Sequence, residues 1–584
     1  MTSINGGANA TILEGSVHDS TGQPVAGAMI TVKTARLNAT TISTYTANNG
    51  EFTFPYLEIV KIPAWDIKMQ KVGYLQSGMP AIKTRGQRQI VSIRAQHIDN
   101  VATQVPPSAW LANIPDTPAG HSVVLQCSQC HQFPFAKVKN YIQKFSMLPD
   151  SEREKVWLDV MKFMRVKMTT LGPKNKADRN AITAQLPLET FANDSFSAWS
   201  HTDESDMAPV LTKYMPTRFD SYSLSDYEKL LSPVGGPGTI IREYQMPDPA
   251  ESMFHDSVVV RKAGGGVYHY VLDWTNPRMV RLNPATGEIR MFPLPKGLVG
   301  EHTLVPDYDG NLWATFQASG NIARFDIASE TWKAWNTDSA GGHAVRAGSS
   351  PGLVHSLAFK AGFELGFDVN GCVWASLQGT NQVVRLDPKS GETSIFDAPN
   401  TGDSPFVTNV YGAVMAMDGK KVWFTQLTGY LFSVNVDTGV IEDKIVIPRG
   451  AGPRRLTIDK NDVLYVPMYG AGSLFVYDTK AKKEVGWYPM PDRAATPYSA
   501  MWDGYRNAVW TGGGNSAKIY KFDVTSKSWT EYPLPTRNGV IMRSIPIDQK
   551  TGDVYFSYAP VASLKGPNML GWLHPDDAEV IKKP

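Results

Sequence analysis

From about residue 240 to the end, the chain repeats itself, and a self-similar period constrains a fold more tightly than any overall composition does. One echo is a turn before an aromatic strand: Asp309-Gly310-Asn311-Leu312-Trp313, Asn370-Gly371-Cys372-Val373-Trp374, Asp418-Gly419 before Val422-Trp423, and Ala508-Val509-Trp510. Another follows it: Arg281-Leu282-Asn283-Pro284, Arg324-Phe325-Asp326, Arg385-Leu386-Asp387-Pro388 and Lys521-Phe522-Asp523. Each unit then ends in a related strand, such as Met291-Phe292-Pro293-Leu294-Pro295, Trp487-Tyr488-Pro489-Met490-Pro491 or Glu531-Tyr532-Pro533-Leu534-Pro535. A period of roughly 40–55 residues with about four strands is that of a β-propeller blade. Six units are complete and a seventh begins at 542–548 and 554–558. The solitary strand 240–247 is free to complete it, which predicts a seven-bladed β-propeller over 236–584.

A chain of 584 residues is too long for one core. Residues 1–98 hold short alternating runs at 11–17, 28–33, 40–45, 51–54, 65–71 and 89–94, separated by turns such as Gly22-Gln23-Pro24 and Asn48-Asn49-Gly50. That spacing predicts a small β-sandwich. The run Gly15-Ser16-Val17-His18-Asp19 through Gly22-Gln23-Pro24-Val25-Ala26-Gly27-Ala28, then Asn48-Asn49-Gly50-Glu51-Phe52, resembles the carboxypeptidase regulatory-like domain. The resemblance implies an accessory, transthyretin-like sandwich without chemistry of its own. Proline-rich connectors at 105–118 and 233–238 bracket a middle region, 99–235. The fold class expected is mostly β: a seven-bladed propeller, a small transthyretin-like sandwich and an α-helical cytochrome c domain.

The middle region carries Cys127-Ser128-Gln129-Cys130-His131, the C-x-x-C-H attachment signature of a c-type haem. Two thiols bond the porphyrin edge and the adjacent imidazole becomes the proximal iron ligand. Cys372 is the remaining cysteine, so neither a four-thiolate zinc site nor a disulfide framework is expected. It reads as a buried small hydrophobe. Helical patterns follow at 135–145 and 151–169, the second with the apolar stripe Trp157, Val160, Met161, Met164 and Met168. The Trp157-x-x-Val160-x-x-x-Met164 stretch resembles the haem domains of quinohaemoprotein dehydrogenases, which implies Met164 as distal ligand, with Met168 one turn on as the alternative. Covalent haem is attached outside the bacterial cytoplasm, so a periplasmic protein is expected, its signal peptide absent from this sequence.

The propeller strands resemble those of virginiamycin B lyase (streptogramin lyase), which have the same D-G-N-x-W turn and R-x-D-P-x-T-G-E hairpin. In a propeller the innermost strands line a central channel. The equivalent position in successive units is His255, His302, His355, Tyr411, Arg454, Tyr498 and Arg543. Three imidazoles could bind a second, transition metal ion or act as acid and base near neutral pH. Asp256 and Glu301 could be ligands or orient an imidazole. Arg454 and Arg543 could clamp a carboxylate or stabilise an oxyanion. The lyase resemblance implies a catalytic His with a Glu later in the same blade, but the matching places hold His269, Phe316 and Val369, and Glu364 stands at another spacing.

Three readings follow. The first is a haem c oxidoreductase that binds a small-molecule substrate in the channel and passes electrons to a soluble partner such as a cytochrome or cupredoxin. The second is a C-O or C-N lyase, and the third a non-catalytic electron-transfer or binding protein. With 57 Lys+Arg against 55 Asp+Glu there is no basic field for nucleic acid, and no apolar run approaches the roughly 20 residues of a membrane span.

Overall fold

The computed structural model describes residues 11–33, 39–57, 62–128, 132–168, 201–248, 252, 254–262, 264–273, 276–317, 319–337, 353–361, 364–378, 380–400, 410–537, 543–558, 568–576 and 580–581. Cys130 and His131 of the haem motif and the side chains of Met164 and Met168 lie outside the described residues. Among the described residues no helix is long and apolar enough to cross a membrane.

The repeats fold as successive antiparallel meanders of four strands. The first runs Phe254–Arg261, Val267–Asp273, Arg278–Leu282 and Ile289–Pro293, and the second Glu301–Pro306, Leu312–Phe316, Asn321–Asp326 and Thr331–Asn336. The innermost strands of four further meanders begin at Leu353, Val410, Thr457 and Pro497. Neighbouring innermost strands touch in chain order, and Phe254–Arg261 also meets Val554–Ser557, so the sheets close around a centre as a β-propeller.

The repeated turn is held by an aspartate just ahead of the echo. Asp307 accepts from the Asn311 amide at 2.8 Å and from Trp313 Nε1 at 2.9 Å. Asp368 does the same for the Cys372 amide at 2.9 Å and Trp374 Nε1 at 2.8 Å. The arginine of the second echo closes on this carboxylate, with Arg385 Nε 3.2 Å from Asp368. Each aspartate thereby supplies partners for buried donors that would otherwise be unpaired.

The strand Ile240–Gln245 pairs antiparallel with Met569–His574, which pairs with Val554–Ser557. Its other edge pairs with Ala39–Tyr45 of the N-terminal sandwich. The sandwich therefore does not stand apart, as the sequence suggests; its sheet of Ile67–Gln70, Met29–Lys33 and Ala39–Tyr45 runs on into the propeller. The facing sheet joins Glu51–Leu57, Thr11–Asp19, Arg88–His97 and Tyr74–Gln76. Leu13, Val17, Ile30, Val32, Phe52 and Phe54 fill the space between them.

Between these parts, the helices Pro118–Ser128, Ala136–Phe145, Asp150–Met168 and His201–Tyr214 share an apolar cluster that includes Val123, Phe145, Trp157, Met161 and Leu211. Two of the stripe's members, Trp157 and Met161, are thus core. Gly512 and Gly513 end the strand Ala508–Gly513, ahead of the hairpin turn to Lys518–Asp523. A Cβ on Gly513 would lie 2.3 Å from Ser516 Oγ, so only glycine fits there.

Candidate functional site

The register of the innermost strands slips at one place per sheet: between Phe254 and Ser257, Glu301 and Leu304, Val354 and Leu357, Val410 and Ala413, and Pro497 and Ala500. A β-bulge bends the strand and re-aims a side chain. The residues inside the slips are His255, His302, His355, Tyr411 and Tyr498. A hydroxyl on the second strand serves the bulge: Thr315 Oγ1 accepts from the Thr303 amide at 2.9 Å and donates to the His355 carbonyl at 2.7 Å. Ser376 Oγ accepts from the Ser356 amide at 2.9 Å and donates to the Tyr411 carbonyl at 2.7 Å. Thr425 repeats the pattern with the Gly412 amide and the Arg454 carbonyl. In these three sheets one hydroxyl thus ties its own bulge to the next sheet's channel residue.

The seven positions picked out by sequence come together. The ring centroids of His255 and His302 are 3.9 Å apart, those of His302 and His355 3.7 Å, and those of His355 and Tyr411 3.9 Å. Tyr411 and Tyr498 share a short hydroxyl–hydroxyl hydrogen bond. Arg543 Nη1 donates to Tyr498 Oη at 3.1 Å and to His255 Nε2 at 3.2 Å. Arg454 lies over the rings of Tyr411 and Tyr469, 4.8 Å from each centroid.

This geometry sets the tautomers. His255 Nδ1 faces the His302 carbonyl at 2.9 Å and carries its proton there, leaving Nε2 to accept from Arg543. His302 Nδ1 lies 3.0 Å from Arg455 Nη2, an obligatory donor, while the His355 carbonyl already accepts from two threonine hydroxyls. Its proton therefore sits on Nε2. Burial first, and then Arg543 and Arg455 for His255 and the flanking His255 and His355 for His302, hold these two imidazoles well below the ordinary histidine value, and burial with Arg455 does the same for His355. The imidazoles are neutral. Burial acts to raise the Tyr498 hydroxyl, but Arg543, Arg455 and Arg454 overcome it and hold it below the ordinary tyrosine range. Burial pushes Tyr469 up to about 12 and Tyr411 higher still.

The expectation of a second metal on His255, His302 and His355 is not supported. The His255 and His302 rings are tilted 44° to each other and the His302 and His355 rings 46°, side by side along the channel, and among the described residues no group of three or more His, Cys, Asp or Glu could hold a metal ion. Asp256 does not orient an imidazole either; it pairs with Arg455 at 2.8 Å and accepts from the Leu304 amide. His269 is buried against Tyr555, both ring nitrogens unpaired. Burial raises the Glu364 carboxyl, which in turn helps raise the neighbouring Tyr308 hydroxyl. Sequence reasoning missed Arg455. Arg455 adjoins Arg454 and offered that proximity as its one signal.

The helix Pro118–Ser128, which carries Cys127, seats on this ring. Tyr469 Oη donates to the Ser128 carbonyl at 2.7 Å, and Leu125 packs with Tyr411, Leu427, Tyr469 and Tyr498. Gly470 permits the approach, since a Cβ there would lie 2.7 Å from the His121 carbonyl. Gln132 and Phe133, just past the motif, bond to Gly514 and Asn515 of the propeller. Cys127 is a free thiol at the end of this helix, packed against the helical core, and burial raises it to about 12. A free cysteine so placed fits thioether attachment.

The fold and site define a mostly β chain built on a propeller whose channel is lined by adjoining imidazoles, tyrosines and arginines. No family model and no curated protein matches the chain. Solved structures do resemble it: a virginiamycin B lyase from Staphylococcus aureus at 16% identity, over 57% of this chain and 99% of its own, with a TM-score of 0.46. A streptogramin B lyase is similar at 16% identity over 58% of this chain and 98% of its own, with a TM-score of 0.46. A catalytically inactive virginiamycin B lyase with quinupristin is similar at 17% identity over 57% of this chain and 99% of its own, with a TM-score of 0.45.

Proposed function

We propose that this chain is a periplasmic c-type haem oxidoreductase whose seven-bladed propeller binds a small anionic substrate in its channel. One observation carries the reading: the helix that carries Cys127, the first residue of the C-x-x-C-H motif, is bonded and packed onto the channel ring, through Tyr469 and Leu125. Cys127, Cys130, His131 and either Met164 or Met168 would hold the haem. Haem c supplies one-electron redox chemistry when bound. The chain's own residues supply the rest. Arg454, Arg455 and Arg543 surround Tyr498, and Asp256 offsets one of their charges, which favours an anion in the channel. Tyr498, made acidic by those cations, is the group suited to take a proton from the substrate. The neutral imidazoles pass hydrogen bonds along the ring without adding charge. Electrons leave to a soluble cytochrome or cupredoxin.

The test is expression in an export-competent host, a pyridine haemochrome assay for covalent haem, and stopped-flow haem reduction by a panel of carboxylate-bearing alcohols and phenols. The expected result is covalent haem, reduced by a member of the panel and at least tenfold more slowly in Arg543→Gln. Absence of haem from the matured protein, or reduction indifferent to Arg543, overturns the proposal. Substrate turnover that survives Cys127→Ala would favour a lyase.

A further inference from the structure

We propose that the cleft where the sandwich, the 103–107 connector and the last propeller sheets meet is a second binding site, for a small monocarboxylate with an apolar body. The cleft has a volume of 600 Å³ and is lined by all three parts, including Tyr45, Val105, Tyr227 and Arg537. Small-molecule sites span about 300–1,000 Å³ and combine apolar walls with a few placed polar groups. Met29, Met69, Leu224 and Leu231 supply such walls.

The charges on the wall leave one cation over. Lys518 Nζ donates to both Glu531 oxygens at 2.9 Å, a closed and fully buried pair. Lys71 donates to the Ala26 carbonyl at 2.6 Å, and Glu228 acts on it as the opposing charge. Arg537 has no hydrogen bond or ion pair with a described residue, and the titratable groups near it are the neutral hydroxyls of Tyr227 and Tyr45, which burial raises. A partly buried guanidinium stays protonated and is costly without an acceptor. A carboxylate fits its fork bidentately and cancels the single open charge, whereas a dianionic phosphate leaves one negative charge unmatched. This site is separate from the channel and does not depend on haem.

The probe is 4-fluorobenzoate, followed by ¹⁹F NMR line broadening on the full chain, with 4-fluorobenzyl alcohol as the neutral control and 4-fluorophenyl phosphate as the dianion. Wild type is expected to bind the benzoate at least tenfold more tightly than either control. Arg537→Gln should weaken it at least tenfold, and Arg537→Lys should weaken it less. Because Arg537 has no partner to lose, the melting temperature of Arg537→Gln should match or exceed that of wild type. Binding lost in Arg543→Gln but not in Arg537→Gln would move the carboxylate to the channel and overturn this proposal. Equal affinity for the alcohol, preference for the phosphate, or no Arg537-dependent binding of any probe would overturn it as well.

Discussion

Replacing Thr315 by valine keeps the shape of the side chain and removes only its hydroxyl. That hydroxyl accepts from the Thr303 amide at 2.9 Å and donates to the His355 carbonyl at 2.7 Å. The carbonyl keeps its second donor, Thr303 Oγ1 at 2.7 Å, but the amide is left unpaired beside His302. A buried donor without a partner costs about 1–3 kcal/mol and a lost hydrogen bond about 0.5–1.5 kcal/mol, so the variant should lose about 2–4 kcal/mol locally. At about 1.4 kcal/mol per tenfold, amide exchange in the 301–306 segment should accelerate by about 30- to 1,000-fold. Hydrogen exchange read by mass spectrometry measures this directly, where a global unfolding curve of a multidomain chain would blur it. Thr315→Ser, which keeps the hydroxyl, is the control. Equal exchange in the valine and serine variants would refute the account of how the bulges are held.

Two buried groups give pH effects of opposite sign. Burial lowers His269 from 6.5 to about 3, so its contribution is complete above the unfolded value and is lost as pH falls from 6.5 toward about 3; His269→Leu should flatten acid unfolding in that window. Burial raises Asp492 from 3.8 to about 6 against the hydrogen bond from Ser108. Its neutral form is the favoured one, so Asp492→Asn should stabilise the fold by about 3 kcal/mol at most above pH about 6, with the gain fading toward 3.8, as thermal melts across pH will show. Glu531→Gln strands the fully buried Lys518 and should cost about 3–5 kcal/mol, while the double change Lys518→Met with Glu531→Leu should cost much less in the same denaturation assay. Tyr469→Phe deletes the bond to Ser128 and should loosen the motif helix, seen as faster exchange over 118–128.

Much of the propeller was legible because its defining contacts are local. Asp307 serves Asn311 and Trp313 within one hairpin, and Asp368 serves Cys372 and Trp374 in the same way, so the turn prints itself on the sequence at a fixed spacing. The same regularity located His255, His302, His355 and Tyr411, one per unit, before any geometry was known. Helices over 135–145 and 151–169 were likewise readable from periodicity, and Ala136–Phe145 and Asp150–Met168 follow them closely.

By itself, then, the amino-acid order determined which segments are strands, where the units repeat and which side chain each unit sends inward. Tertiary structure decided what those side chains do together. The close contact of the imidazoles, the choice of Arg455 as the partner of Asp256, the approach of Tyr469 to Ser128 and the joining of Ala39–Tyr45 to Ile240–Gln245 all link residues far apart in the chain. Such contacts leave no spacing behind them. A hydrogen bond closed within a hairpin constrains residue types a few positions apart, whereas one closed between sheets constrains only where two surfaces meet, and that becomes defined when the ring closes.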